Sequence, residues 1–185
     1  MKKVIVFIFS IFLVACTTVQ EETRVSSDLK VSQFNSLSYN FMGRPTFVSL
    51  ESMSDGEKVL AISMDDYGSS SSLLRFSAKH VDDYRKIIDK YYQWEKLALE
   101  RGDVFTKHLG EATTWGNIIS GSLSFDFHSG NAANHYLLIK FCSLGKCLDD
   151  NAFYFDMKNT HILESLLKKL KNGEIEQTNL DEVYQ

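Results

Sequence analysis

Residues 76–91 (FSAKHVDDYRKIIDKY) and residues 155–170 (FDMKNTHILESLLKKL) decide how this chain is read. Each opens on a phenylalanine that ends an apolar stretch. Each then passes a polar break and continues with apolar residues at helical spacing. The first stripe is Val81, Tyr84, Ile87, Ile88 and Tyr91; the second is Leu163, Leu166, Leu167 and Leu170. At an offset of 79 residues the two superpose without a gap, Phe76 on Phe155, Lys79 on Lys158 and Lys90 on Lys169. Tyr84, Ile87, Ile88 and Tyr91 then fall on the four leucines, and Ser77 falls on Asp156, both N-cap types. Gly102 and Asn172-Gly173 are stop signals, so helices are predicted over about 80–100 and 160–171.

Apolar strand-like runs precede both helices. They cover residues 47–52, 58–64 and 72–78 in the first half, and 122–127, 135–141 and 152–157 in the second. Turn-forming runs such as Ser54-Asp55-Gly56 and Ser129-Gly130-Asn131 separate them. Residues 59–62 fall on 138–141 at the same offset. Each half, about 45–101 and 122–173, therefore reads strand–strand–strand–helix. One such unit buries too little to stand alone. The expectation is a single α+β domain over 33–185, an antiparallel sheet with both helices packed on one side. Residues 103–121 join the halves. They are long for a structureless connection, so they hold either a short regular element or a binding loop with Trp115 as its contact.

The chain has 185 residues, of which 44% are hydrophobic and 24% charged. This composition suits a folded domain and excludes a disordered one. With 20 Lys+Arg against 24 Asp+Glu the net charge is -4, and no nucleic-acid partner is expected.

The amino terminus has a different character. Lys2 and Lys3 precede an apolar run, residues 4–14 (VIVFIFSIFLV). As a helix this run is about 16 Å long, roughly half a bilayer core. That is too short to span and suits the apolar region of a secretion signal. Leu13-Val14-Ala15-Cys16 closes it. This four-residue pattern resembles the lipobox of bacterial lipoproteins. The resemblance implies cleavage after Ala15, a diacylglycerol on the Cys16 thiol and acylation of the new amine. Several acyl chains on one residue anchor a protein stably, where one binds only reversibly. Thr17 in place of aspartate points, by the same resemblance, to an outer membrane, with the body facing the periplasm. Residues 1–15 are thus read as signal peptide. Residues 16–32, polar and Thr/Ser-rich, are read as the lipidated cysteine and a flexible tether. No second long apolar run follows. The mature body carries 18 basic and 24 acidic residues, so attraction to anionic headgroups is not what holds it.

Outside the cytoplasm the two remaining thiols meet an oxidising compartment. Cys142 and Cys147 flank Ser-Leu-Gly-Lys, with strand-like residues on either side. A disulfide clipping the end of a hairpin is expected. The spacing is not the C-x-x-C of a reactive pair, and a four-cysteine zinc site lacks ligands.

A search for chemistry finds little. No HExxH, phosphate-binding glycine loop or nucleophile elbow occurs. His128, His135 and Asp126 form the closest approach to a ligand set, with the two histidines expected to face each other across a hairpin. Ordinary surface histidines explain them better. No cofactor, metal or catalytic residue is assigned. The first helix carries more aromatic surface than a core needs, Tyr92 and Trp94 lying beside the Tyr91 stripe. Tyr92, Trp94 and Trp115 are the candidate partner contacts. The expected function is a non-catalytic envelope lipoprotein that binds another envelope protein. The alternative is an inhibitor or immunity protein against a secreted hydrolase, plugging it with residues 103–121 or 128–135.

Overall fold

The computed structural model describes residues 17–66, 69–115, 121–131 and 134–175. Cys16, the proposed lipidation site, lies outside the described residues.

Chain order is β1 Val19–Val25, β2 Val31–Asn35, β3 Asn40–Arg44, β4 Thr46–Met53, β5 Lys58–Asp66 and β6 Ser69–Ser77. A 3-10 turn, Ala78–His80, leads into helix α1, Val81–Arg101. The second half comprises β7 Phe105–Thr114, β8 Gly121–Asn131, β9 Asn134–Ser143, the short β10 Lys146–Cys147, β11 Phe153–Phe155 and helix α2 Met157–Asn172. The fold is α+β, and the pairings are antiparallel. The strands form two sheets rather than one. The first runs β1-β4-β5-β6; the second runs β3-β2-β11-β9-β8-β7, with β10 paired to β9.

The halves correspond strand by strand. β4-β5-β6 followed by α1 matches β8-β9-β11 followed by α2, and β1 flanks β4 as β7 flanks β8. The constant offset of 79 does not survive in the ladders. Val48 pairs with Ile62, whereas Leu123 pairs with Phe141. Leu60 pairs with Phe76, whereas Ile139 pairs with Phe153. With β5 laid on β9, β4 has slipped by four residues and β6 by two. Both slips are even, so every inward side chain stays inward. Helical structure begins at Ala78 and at Met157, which is the expected correspondence.

The core lies between the sheets and the helices. Leu60, Ile62, Leu74 and Phe76 come from the first sheet, and Leu123, Phe125, Phe127, Leu137, Ile139, Phe153 and Phe155 from the second. Tyr84, Ile88 and Tyr91 of α1 and Leu163, Leu167 and Leu170 of α2 fill the space between. Burying each such side chain contributes about 1.5–3 kcal/mol. The helices touch along their length: Asp82 pairs with Lys171 at 2.6 Å, and Tyr92 meets His161 at 3.0 Å. Both helices end at a glycine in the left-handed region, Gly102 (φ 67°) and Gly173 (φ 70°), where a side chain would be strained. Their starts differ. Asp156 caps α2 by accepting the Asn159 amide at 2.8 Å, while Ser77 makes no cap bond and donates its hydroxyl to Glu57.

One expectation requires correction. Within the stretch 16–32 expected as a tether, residues 19–25 form β1, which pairs along β4, and Leu29 and Val31 enter the core. An edge strand buries one sparse row of side chains, so β1 reads as polar although it pairs along β4. Of the two readings of residues 103–121, the regular element is the one found: residues 105–114 are β7, paired along β8.

Candidate functional site: the uncharged hairpin and the outer sheet face

Period-two alternation turns one row of each strand away from the helices. On β8, β9 and β11 that row comprises Ser124, Asp126 and His128, Tyr136, Leu138 and Lys140, and Tyr154. The β2–β3 hairpin extends this face, since Tyr154 pairs with Ser32 and Phe34 with Phe41. Phe41 sits at the centre of a second aromatic cluster. Its ring lies 4.3 Å from Tyr136, 4.9 Å from Tyr154, 5.2 Å from Phe34 and 5.5 Å from His128. These rings hold the hairpin against the sheet. Burial, with His135 nearby, lowers the His128 pKa from its ordinary value.

The tip of the hairpin leaves this support. Leu37 is 92% exposed and Tyr39 83%. The turn is nevertheless ordered by its own chemistry: the Asn35 side-chain oxygen accepts the amides of Leu37 at 2.9 Å and Ser38 at 3.0 Å. Tyr39 adopts a positive φ of 51°. Residues 31–43 (VSQFNSLSYNFMG) contain no charged side chain, in a chain that is 24% charged.

Beside the aromatic cluster lies an ionic one. Asp126 is held by His108 Nδ1 at 2.9 Å and Lys140 Nζ at 3.1 Å, and Lys140 reaches Asp149 at 3.0 Å. Burial opposes the Lys140 charge, yet hydrogen bonds to Asp149 and Asp126 outweigh it and raise its pKa. Both Asp126 oxygens are occupied within the fold, Oδ1 by His108 and Oδ2 by Lys140.

The residues singled out from sequence are placed as follows. Cys142 and Cys147 form the disulfide, directly opposite one another across the β9–β10 hairpin. Leu144 and Gly145 make its turn, both at positive φ, and Leu144 is 80% exposed. Tyr92 is half-buried between the helices, bonding His161 and Glu164. Trp94 packs on Phe105 and Phe127 and floors a shallow cavity of about 190 Å³ with Leu97, Ala98 and Lys107. Trp115 stacks on Arg75, 4.9 Å from the guanidinium, which is itself bound bidentately by Glu51. The structure does not gather these three aromatics into one patch. His128 and His135 do not face each other either. His128 pairs with Tyr136 and points outward, while His135 pairs with Ser129 and lies buried against Phe127 with Glu95 at 3.6 Å.

Sequence reasoning missed the hairpin because its residues alternate only over five positions per strand, too few to read as strands, and the first strand candidate began at residue 47. The signal that could have found it is the absence of charge from residues 31–43.

No family model, curated protein or solved structure matches this chain.

Proposed function

We propose that this chain is a lipid-anchored protein of the bacterial envelope, held through Cys16, that acts by binding another envelope protein rather than by catalysis. The β2–β3 hairpin is its contact surface. One observation carries this reading: an uncharged segment projects Leu37 and Tyr39 almost fully into solvent. Protein interfaces are depleted in charge at their centres and enriched in aromatic residues and methionine, which describes Phe34, Tyr39, Phe41 and Met42. A solitary exposed leucine needs no explanation, but Phe34, Leu37, Tyr39 and Met42 all exposed on one uncharged hairpin do. The Cys142–Cys147 disulfide supports an oxidising compartment.

A photo-crosslinker at Tyr39 tests the surface, with Glu100 as an exposed control on α1. The expected result is one envelope protein joined to the Tyr39 form and absent from the Glu100 form. Equal yields at both positions refute the assignment. A secreted hydrolase as the joined species would instead make the hairpin an inhibitory plug.

A further inference from the structure

We infer that the anchored body sits flush on the lipid headgroups with one defined end down, the end bearing the β4–β5 turn. This rests on the reading of Cys16 as the lipidated residue. The fold is already closed at Thr18. Its amide donates to the Ser54 hydroxyl at 3.1 Å, and its carbonyl accepts the Ser54 amide at 2.8 Å. At most about 3.3–3.6 Å of chain is available per residue. Cys16 and Thr18 are therefore no more than roughly 7 Å apart, far less than the reach of a sixteen-residue tether. Ser54 opens the turn between β4 and β5, so that turn must lie within a headgroup's thickness of the acylated residue.

The surroundings of the turn fit a headgroup surface. Lys79 joins Glu57 at 2.8 Å and Asp55 at 3.8 Å, and Lys58 donates to Ser52 at 2.6 Å. The carboxyl end of α2 reaches the same end of the molecule, since Leu170 and Gly173 line a small cavity with Leu50 and Lys58. Lys171 then ties this end to the start of α1 through Asp82. The end is polar, and Lys79 and Lys171 are each paired with carboxylates there.

The geometry also assigns the opposite end. β4 runs from Met53 at the anchored end to Thr46, about 23 Å away at 3.3 Å per residue. α1 rises about 30 Å from Asp82 toward Arg101. The Trp94 cavity thus faces away from the leaflet.

The test uses the mature chain starting at Cys16, whose other two cysteines are bonded to each other. Its one free thiol is coupled to a maleimide lipid in phosphatidylcholine/phosphatidylglycerol vesicles, so the measurement does not depend on cellular lipidation. Lysines are labelled with a water-soluble acylating reagent, on vesicles and in solution. Lys58, Lys79 and Lys171 should label severalfold more slowly on vesicles, with Lys96 and Lys107 unchanged. An insert of about twelve Gly/Ser residues after Thr17, with a mean reach of roughly 20 Å, should abolish the protection. Uniform labelling of all five lysines on vesicles overturns the inference, as does protection that persists with the insert. Failure of Cys16 to be acylated in cells would show separately, as absence of palmitate from the native protein.

Discussion

The Tyr84 hydroxyl donates to the Thr113 carbonyl oxygen at 2.6 Å and accepts the Ser77 amide at 3.2 Å. Ser77 ends β6 and Thr113 lies near the end of β7, so one side chain from α1 joins an edge of each sheet. The Thr114 hydroxyl adds a second link, donating to the Arg75 carbonyl. The two sheets share no strand ladder, and these bonds close the seam between them.

Tyr84→Phe leaves a buried amide and carbonyl unpaired and should cost about 1–3 kcal/mol at pH 7. The pH dependence has a definite sign. Burial pushes the Tyr84 hydroxyl up to about 12, while the unfolded chain titrates near 10. The folded state holds this proton more tightly. Its contribution is complete below pH 10 and is lost as pH rises through 12, up to roughly 3 kcal/mol. Urea titrations from pH 8 to 12 should show the wild type losing more stability than the variant. Parallel curves would refute the role of this proton.

Glu51 is 3% exposed and binds Arg75 through two bonds, 2.6 Å and 3.0 Å, on the face of the first sheet that also carries Val59 and Ala61. Glu51→Ala strands the guanidinium under Trp115 and should cost about 2–3 kcal/mol, less than a fully buried pair because Arg75 keeps some solvent contact. Replacing both partners, Glu51→Leu with Arg75→Met, should return stability to within about 1 kcal/mol of wild type. Denaturation midpoints at unchanged slope decide it.

The disulfide closes a very small loop, so it constrains the unfolded chain by only about 2 kcal/mol. Cys142→Ser with Cys147→Ser should lower stability by that amount and leave the far-ultraviolet circular dichroism unchanged. Loss of the folded signal at 25 °C would mean that the bond determines the second sheet.

Leu37→Asp combined with Tyr39→Ser should change stability by less than about 0.5 kcal/mol, because neither side chain contributes to the core. The same pair should abolish the crosslink expected at the hairpin. A stability loss above about 2 kcal/mol would show that the tip is structural.

Cys16→Ser should release the protein from membranes and remove labelling by palmitate. A variant that still partitions with membranes, together with an unlabelled native chain, would remove the anchor from the account.

Helix α1 was legible because Tyr84, Ile88 and Tyr91 are aligned by local spacing and all become fully buried. The same holds for Leu163, Leu167 and Leu170, and for strands with dense apolar rows such as β5 and β9. The Cys142–Cys147 pairing was legible because four intervening residues with one glycine leave few geometries. β1 and β7 were not. Glu21, Glu22 and Arg24 dominate β1, and Thr106, Lys107 and His108 dominate β7, since an edge strand faces solvent along much of its length.

The chain's own order of residues determined its local elements: two amphipathic helices, the strands that feed them, the clipped hairpin and the signal-like amino terminus. Each follows from contacts between residues close in sequence, where spacing alone says which side chains share a face. The tertiary structure decided the rest. It divided the strands into two sheets, drew β1 and the start of β2 out of the expected tether and into the ladders, and placed Phe41 on Tyr136 and Tyr154. It also separated Tyr92, Trp94 and Trp115 and turned His128 and His135 to opposite faces. Those outcomes depend on strand register and on pairing between distant segments, and a slip of one residue would reverse every side chain involved.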